Sequence, residues 1–273
     1  MQDNPFNPAT IVKQVLRHRH LIWQLTKRQV IGRYKGSYLG IAWSFLYPLL
    51  MLVAYTFIFS VVFKARWSVS PDESKVEFAL TLFCGLIAYQ LFSENVTRAP
   101  GLILENPNYV KKVIFPLEIL PLSVLGASLI HSLISVGILL LGTILLMGKL
   151  SATLFYLPLV FMPLLFLSLG LSWTLASLGV FIRDLQQLVS VVVQLLLFMS
   201  PIFYPVTALP EAFRPWMLAN PLSSMIENFR RVLLWNMPPD WHWWAWGTLL
   251  TGIFALGGYW WFKKTEKAFA DVI

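Results

Sequence analysis

Residues 36–63 read GSYLGIAWSFLYPLLMLVAYTFIFSVVF, which are 28 consecutive residues without Asp, Glu, Lys or Arg. A transmembrane helix needs about 20 predominantly apolar residues to cross the hydrocarbon core of a bilayer. This run exceeds that length and is bounded by Lys35 and Lys64. The pattern therefore predicts a membrane-spanning helix close to the N-terminus.

Five further uncharged runs follow it, at residues 78–93, 119–148, 150–182, 185–210 and 241–262. Four of them exceed 20 residues. The run at 78–93 has 16 residues and spans a bilayer only if its helix continues past Glu94, which would then pair with Arg98 at i,i+4. The sequence thus predicts an all-α polytopic membrane protein with six transmembrane helices within residues 36–266.

The composition agrees with this fold class. Of 273 residues, 57% are hydrophobic and only 12% are charged, and the mean hydropathy is +0.67. Soluble domains carry about 25% charged residues, so this chain lacks the polar surface of a cytosolic enzyme or a disordered protein. The net charge of +8 does not argue for a nucleic-acid partner, because basic residues also fix the orientation of membrane proteins.

The distribution of Lys and Arg predicts the orientation. With six spans, 14 of these residues fall on the side that holds both termini and seven fall on the other side. Cytoplasmic loops of membrane proteins carry the excess of Lys and Arg. Both the N-terminal segment 1–35 and the tail 267–273 are therefore expected in the cytoplasm.

Three segments outside the spans have a pattern of their own. Residues 11–35 mix apolar and basic residues, which is typical of an amphipathic helix at the membrane surface, either as a topology anchor or as a docking surface for a partner. The cytoplasmic loop 99–116 contains Asn106-Pro107, which predicts a short helix. The external segment 201–239 holds seven of the 17 prolines and predicts short helices that re-enter the outer leaflet.

The chain shows no energy source or catalytic centre of its own. Residues 142–149 approach a phosphate-binding loop, but the spacing is one residue too long and Leu150 stands where Ser or Thr would bind magnesium. The one cysteine, Cys84, and the scattered carboxylates form no metal or catalytic cluster. The deep ionisable residue is His131, for which a hydrogen bond to a neighbouring helix is favoured over a proton relay. We expect no catalytic residue and no cofactor in this chain, so that a separate ATPase subunit would drive any transport.

Aromatic residues recur along the first span at Trp43, Tyr47, Met51, Tyr55 and Phe59, where Met51 continues the four-residue spacing. This spacing places them on one slowly drifting helical face. The face serves packing if it meets lipid or a neighbouring helix, and it suits the apolar faces of sugar rings if it meets a lumen.

Two sets of small residues are expected to allow close contact between helices. The first is Gly36 with Gly40, at the start of the first span. The second is Ser168, Ser172 and Ala176, in the fourth.

Several motifs resemble the membrane subunit of type-2 ABC exporters for polysaccharides, in the branch that exports O-antigen, capsule and teichoic acid. They are RYKGSYLGIAW at 33–43 with Pro48 following, KKVIFPLEILP at 111–121, RD at 183–184, PIFYP at 201–205 and NPL at 220–222. They occur in order across residues 27–269. The resemblance implies a homodimer in the bacterial inner membrane that binds two copies of a separate ATPase, which would hold ATP and magnesium. It also implies a lipid-linked polysaccharide as the substrate, moved to the outer face.

The spacing of the aromatic stripe gives the hypothesis that Trp43, Tyr47, Tyr55 and Phe59 line the glycan path. The resemblance implies roles for two further groups of residues. Coupling to the ATPase would involve an interface helix at about 23–35 and the loop 106–112, with Arg28, Arg33, Asn106, Pro107, Asn108, Tyr109, Lys111 and Lys112. The external re-entrant helices would close the channel, with Pro201, Tyr204, Pro205, Asn220 and Pro221.

Other functions remain open from the sequence. A subunit of the same fold could export teichoic acid, a small lipid or a drug. An ion-coupled secondary carrier is disfavoured because intramembrane carboxylates are missing, and a membrane-embedded glycan-modifying enzyme is disfavoured because the chain has no acidic cluster.

Overall fold

The computed structural model describes residues 8–62, 67, 74–111 and 115–272, and of residues 8–10, 41, 59 and 60 it describes the backbone alone. This part of the chain is helical and contains no strand. Its α-helices are α1 (Pro8–Arg17), α2 (Arg19–Gly32), α3 (Trp43–Thr56), α4 (Lys75–Arg98), α5 (Pro107–Val110), α6 (Ile119–Met147), α7 (Leu157–Phe181), α8 (Leu185–Phe198), α9 (Arg214–Ala219), α10 (Pro221–Leu233), α11 (Trp241–Thr265) and α12 (Phe269–Val272).

Local sequence explains where several helices begin and end. Ser74 and Glu77 form a capping box at the start of α4, in which each side chain accepts a hydrogen bond from the other residue's backbone N–H. The side chains of Asn220 and Asp240 cap α10 and α11 in the same position. Helix α6 ends at Gly148, whose φ of 64° is a left-handed conformation that glycine adopts without a steric penalty.

Within the described residues, three helical stretches are long and apolar enough to cross a membrane: Lys75–Arg98, Ile119–Met147 and Ala152–Phe181. The first confirms that the shortest uncharged run continues past Glu94. Helix α3 has 14 residues and continues as the π-helix Phe57–Val62, so that together they count 20. Helix α11 has 25 residues. The total of six spans stays a prediction.

The fifth uncharged run differs most from its expected form. It extends to residue 210 in the sequence, yet helix α8 ends at Phe198 after 14 residues. At 1.5 Å per residue this helix is about 21 Å long, which is less than the roughly 30 Å of the hydrocarbon core. The chain turns at Pro201, since a proline there cannot supply the backbone N–H of a continuing helix.

Helix α4 lies at the centre of the bundle. It is the most buried of the three long stretches: 67% of its apolar 18-residue core is buried inside the protein, compared with 28% and 33% for the other two. Helices α6, α7, α8 and α10 pack around it. Helix α4 contacts α2 through Arg98 and α10 through Thr81, so it positions the groups described below.

Two glycines bring α7 and α11 together: a Cβ on Gly170 would lie 2.9 Å from the Cα of Ala255, and one on Gly258 would lie 2.5 Å from the Gly170 carbonyl oxygen. Ser168, Ser172 and Ala176, the set expected to allow a close helix contact, are buried. The expectation for Gly36 and Gly40 was wrong. Both have positive φ, 87° and 51°, and an added Cβ would meet no described atom within 4 Å, so they serve the turns before α3 rather than helix contact.

Helix α2 packs alongside α6. The Thr26 hydroxyl donates to the Ser123 carbonyl oxygen, and seven residues later Arg33 contacts His131. The two segments therefore run in the same direction. Leu25 and Val30 are buried in this contact. The position of α2 at the membrane surface stays a prediction.

Candidate functional site

The aromatic stripe on α3 faces two cavities. Trp43 and Tyr47 line the first, which lies between α3, α4 and α6 and is called here the α3–α6 cavity. Tyr47, Met51 and Tyr55 line the second, which lies between α3, α4 and the end of α8 and is called the α3–α8 cavity. Phe59 belongs to the π-helix, and its side chain lies outside the described part of the chain.

The α3–α6 cavity has a volume of about 460 Å³. This is within the range of roughly 300–1,000 Å³ typical of small-molecule sites. Its lining combines the rings of Tyr34, Trp43 and Tyr47 with an amide, Gln90, and with five serines. The serines are Ser37, Ser44, Ser128, Ser132 and Ser135. Such a wall offers both flat apolar surfaces and neutral hydrogen-bonding groups.

A group of charged side chains closes one end of this cavity. Arg33 Nη2 lies 2.8 Å from Glu94 Oε1, and Arg33 Nη1 lies 2.8 Å from Nδ1 of His131. Arg98 Nη1 approaches the same carboxylate at 3.9 Å, which confirms the expected i,i+4 pair. Tyr34 packs edge-on against His131 with ring centroids 5.9 Å apart. The hydrogen bond expected between His131 and a neighbouring segment is therefore present.

The hydrogen bond with Arg33 assigns the tautomer of the His131 ring. A guanidinium has only donors, so Arg33 must donate to Nδ1, which then carries a lone pair. The proton of the imidazole accordingly lies on Nε2, as assigned from the hydrogen-bond partner.

The α3–α8 cavity measures about 360 Å³ and shares Arg33, Tyr47, Gln90 and Glu94 with the first. Tyr55 packs against Phe203 of the segment after α8, with ring centroids 5.3 Å apart. The stripe on α3 thus forms part of the wall of two adjoining spaces, and its C-terminal end touches the segment after α8 through Phe203.

The expected coupling residues divide between two places. Arg28 on α2 donates to the Tyr109 hydroxyl of α5 at 2.8 Å, and the Tyr109 ring stacks on Phe115 with centroids 4.2 Å apart. Arg33 is not in this group, because it binds Glu94 and His131. In the loop, Pro107 is the first residue of α5, and the Asn106 amide donates to the Leu102 carbonyl. Asn108 and Lys111 are exposed, and Lys112 lies outside the described residues.

Between α2 and α5 the chain forms a basic groove of about 730 Å³. Lys27, Arg28, Lys35 and Arg98 line it, against the single carboxylate of Glu105. Burial raises the pKa of the Glu266 carboxyl, and the Lys263 ammonium, whose Nζ lies 2.5 Å away, only partly offsets that effect. The groove lining itself carries four basic side chains and one acidic one.

The expected gate residues lie together in the external segment. Tyr204 donates from its hydroxyl to the Phe198 carbonyl at 2.5 Å. The Asn220 amide donates to the Met199 carbonyl and to the Ser200 hydroxyl, each at 3.0 Å. Pro201 is buried, Pro205 is half-buried and the exposed Pro221 is the first residue of α10. These bonds tie α10 to the end of α8.

Arg230 on α10 is a key residue that the sequence reasoning missed. It is fully buried, with its Nε donating to the Thr81 carbonyl at 3.1 Å and its Nη2 to the Ile202 carbonyl at 3.2 Å. Its guanidinium lies 3.9 Å from the centroid of the Trp67 ring. A signal was available, because Arg230 stands four residues after the buried Ile226 and so on the apolar face of α10.

Within the described residues, no three His, Cys, Asp or Glu side chains come together in a way that could hold a metal ion. The site is therefore built from aromatic rings, neutral polar groups and paired charges.

Comparison with known proteins identifies relatives over most of the chain. The O-antigen export system permease protein RfbA of Myxococcus xanthus is 29% identical over 84% of this chain and 86% of its own length. Two proteins of the same description from Klebsiella pneumoniae are 26% and 28% identical, each over 78% of this chain and 80% of their own length. The sequence pattern of the family described as ABC-2 type transporter matches residues 20–234, which include α2, both cavities and the external segment through α10. The chain belongs to the family of ABC-2 type transporters.

Proposed function

We propose that this protein is the transmembrane subunit of an ATP-driven exporter that carries a lipid-linked polysaccharide of the O-antigen type across the bacterial inner membrane. Its relatives from Myxococcus xanthus and Klebsiella pneumoniae are O-antigen export permeases by description, and they align with most of the chain. Both termini would face the cytoplasm. The active form would be a homodimer with two copies of a cytoplasmic ATPase, which would bind ATP and magnesium.

The observation that supports a glycan cargo is the position of the stripe on α3. Trp43 and Tyr47 line a cavity rich in serine hydroxyls instead of facing only lipid. Aromatic faces bind the apolar faces of sugar rings, and the phenol and indole groups add hydrogen bonds. A phenolic hydroxyl that faced only hydrocarbon would cost several kcal/mol, by rough estimate, so a polar lumen gives these residues a physical role.

The α2–α5 region is the proposed contact with the ATPase. Its support is the hydrogen bond from Arg28 to Tyr109, which joins the N-terminal helix to the cytoplasmic loop, together with the exposed side chains of Asn108 and Lys111. Movement of α5 would be passed to α2, and from α2 to α6 through Thr26. The external helices α9 and α10 would close the path on the far side.

The proposal is tested with Tyr47→Leu in a strain that lacks the chromosomal copy of the gene. Leu preserves bulk and apolarity but removes the ring and the hydroxyl. Loss of a ring contact and a hydrogen bond worth together about 1.4 kcal/mol corresponds to a tenfold effect, so surface glycan should fall about tenfold at normal protein level.

The matched control is Phe45→Leu, which changes an exposed aromatic residue of the same helix that lines neither cavity. It should keep surface glycan within about twofold of the wild type. If the deletion strain keeps its surface glycan, or if Tyr47→Leu behaves like Phe45→Leu, the proposed glycan path is wrong.

A further inference from the structure

The α3–α6 cavity contains polar groups that the fold itself does not use. Ser44 and Ser132 are each 5% exposed, and their hydroxyl oxygens have no hydrogen-bond partner among the described residues. The Nε2 atom of His131 is also buried without a hydrogen-bond partner among the described residues. Buried polar groups are nearly always paired, so three unpaired groups along one cavity indicate a ligand or ordered water that completes them.

Gln90 adds an accessible amide to the same space. It is exposed, although it lies in the middle of α4, the most buried of the long helices, and it lines both cavities. Its side chain forms no hydrogen bond with the described residues. An amide that lines two cavities without a protein partner is free to bind a polar occupant next to it.

The chemistry of the free groups distinguishes a sugar from an anion. The cationic groups at this end are already engaged, because Arg33 binds Glu94 and His131, and Arg98 donates to the Gln29 side chain at 2.6 Å. What remains without a partner among the described residues is neutral: the hydroxyls of Ser44 and Ser132 and the amide of Gln90. These groups match sugar hydroxyls, and the rings of Trp43 and Tyr47 beside them match the apolar face of a sugar.

We propose that the α3–α6 cavity is a sugar-binding subsite within one protomer, in which Gln90, Ser44 and Ser132 bind the hydroxyls of one glycan residue. This inference rests on the proposed function and deepens it, since it adds a specific recognition site beside the aromatic stripe. The serine oxygens are covered by their neighbours in this conformation. A rotation about χ1, between the staggered positions open to serine, would bring them to the ligand.

Two serines of the same wall supply a matched control. Ser128 donates to the Val124 carbonyl and Ser135 to the His131 carbonyl, so their hydroxyls serve helix α6 itself. We exclude both from the proposed contact groups. Ser135→Ala therefore makes the same chemical change as Ser132→Ala, one turn away, without removing a proposed ligand contact.

The test uses the full chain with its ATPase in lipid nanodiscs. The probe is the repeat-unit oligosaccharide released by mild acid from the surface glycan of the strain that carries the gene, and its Kd is measured by calorimetry. Ser132→Ala and Ser44→Ala should each raise the Kd about three- to tenfold, and Gln90→Met, which keeps the length of the side chain, about tenfold. Ser135→Ala should stay within twofold.

Thermal unfolding separates this role from a structural one. Removing an unpaired buried hydroxyl relieves a desolvation cost, so Ser44→Ala and Ser132→Ala should unfold at the same temperature as the wild type or higher while binding sugar less well. A parallel loss of stability and binding would assign these serines to the fold and overturn the subsite.

The outcomes also distinguish this inference from the proposed function. If the wild type restores surface glycan to the deletion strain but binds no oligosaccharide, or if all variants bind as the wild type does, the cavity holds only water and the subsite is overturned while the export function stands. If the wild type does not restore surface glycan, the proposed function fails and the subsite fails with it.

Discussion

Arg230 on α10 and Arg33 at the end of the α3–α6 cavity both place a guanidinium inside the helix bundle, but in different ways. Arg230 is fully buried and held by two backbone carbonyls and the Trp67 ring, while its carboxylate neighbour, Glu227, is 3.7 Å away. Arg33 is about one-third exposed and binds a carboxylate at 2.8 Å. The first arrangement fixes a segment of the fold, and the second leaves a charged pair beside an open cavity, where it can rearrange.

The largest effect should come from Arg230→Met. The change leaves the Thr81 and Ile202 carbonyls without their donor in a buried site and removes the link between α10 and α4. We expect the free energy of unfolding to fall by about 2–4 kcal/mol, measured by thermal unfolding in detergent. The neighbouring Arg231 is half-buried, and its side chain bonds the Pro238 carbonyl of its own segment and no other described residue, so Arg231→Met should cost about 1 kcal/mol or less. Equal losses from both changes would refute a special role for Arg230.

A smaller effect is expected from Gly85→Ala on α4. A Cβ at this position would lie 2.7 Å from Nη2 of Arg230, and the guanidinium cannot move away without breaking its bond to Ile202. Overpacking of this kind costs about 1–3 kcal/mol. Gly137→Ala on α6 is the matched control, because its Cβ would meet no described atom within 4 Å and alanine favours a helix by about 0.5–1 kcal/mol. Gly85→Ala should therefore lower the unfolding midpoint and Gly137→Ala should raise it.

The smallest effect should come from Glu94→Gln. Arg33 then loses its carboxylate, but solvent can reach the guanidinium, so the loss should be about 1 kcal/mol. A double-mutant cycle with Arg33→Gln should give a coupling energy of about 0.5–1 kcal/mol that falls as salt is added, because the Arg33 guanidinium is about one-third exposed even though the Glu94 carboxylate is buried. A coupling above about 3 kcal/mol that ignored salt would mean that this pair is as fixed as Arg230.

Residue patterns alone predicted an all-helical membrane protein, because apolar helices and their ends depend on composition and on neighbours in sequence. Uncharged runs mark apolar helices, and Ser74, Asn220 and Asp240 cap helices through their own neighbours in sequence. The motifs at 33–43 and 201–205 added the family, which the match over residues 20–234 confirms. The stripe on α3 was also visible, since four-residue spacing on a helix is a local property.

The tertiary structure decided which of those residues meet. Gly36 and Gly40 have the spacing of a helix contact but lie in turns, because spacing says nothing about φ. Arg230 is held by a carbonyl 149 residues away, and Arg33 by a carboxylate on α4 and a ring on α6 rather than by the coupling loop. The cavity that leaves Ser44, Ser132 and Gln90 facing a common space exists only because α3, α4 and α6 converge there. Packing and the pairing of buried polar groups depend on neighbours distant in sequence, so they are fixed only when the helices are assembled.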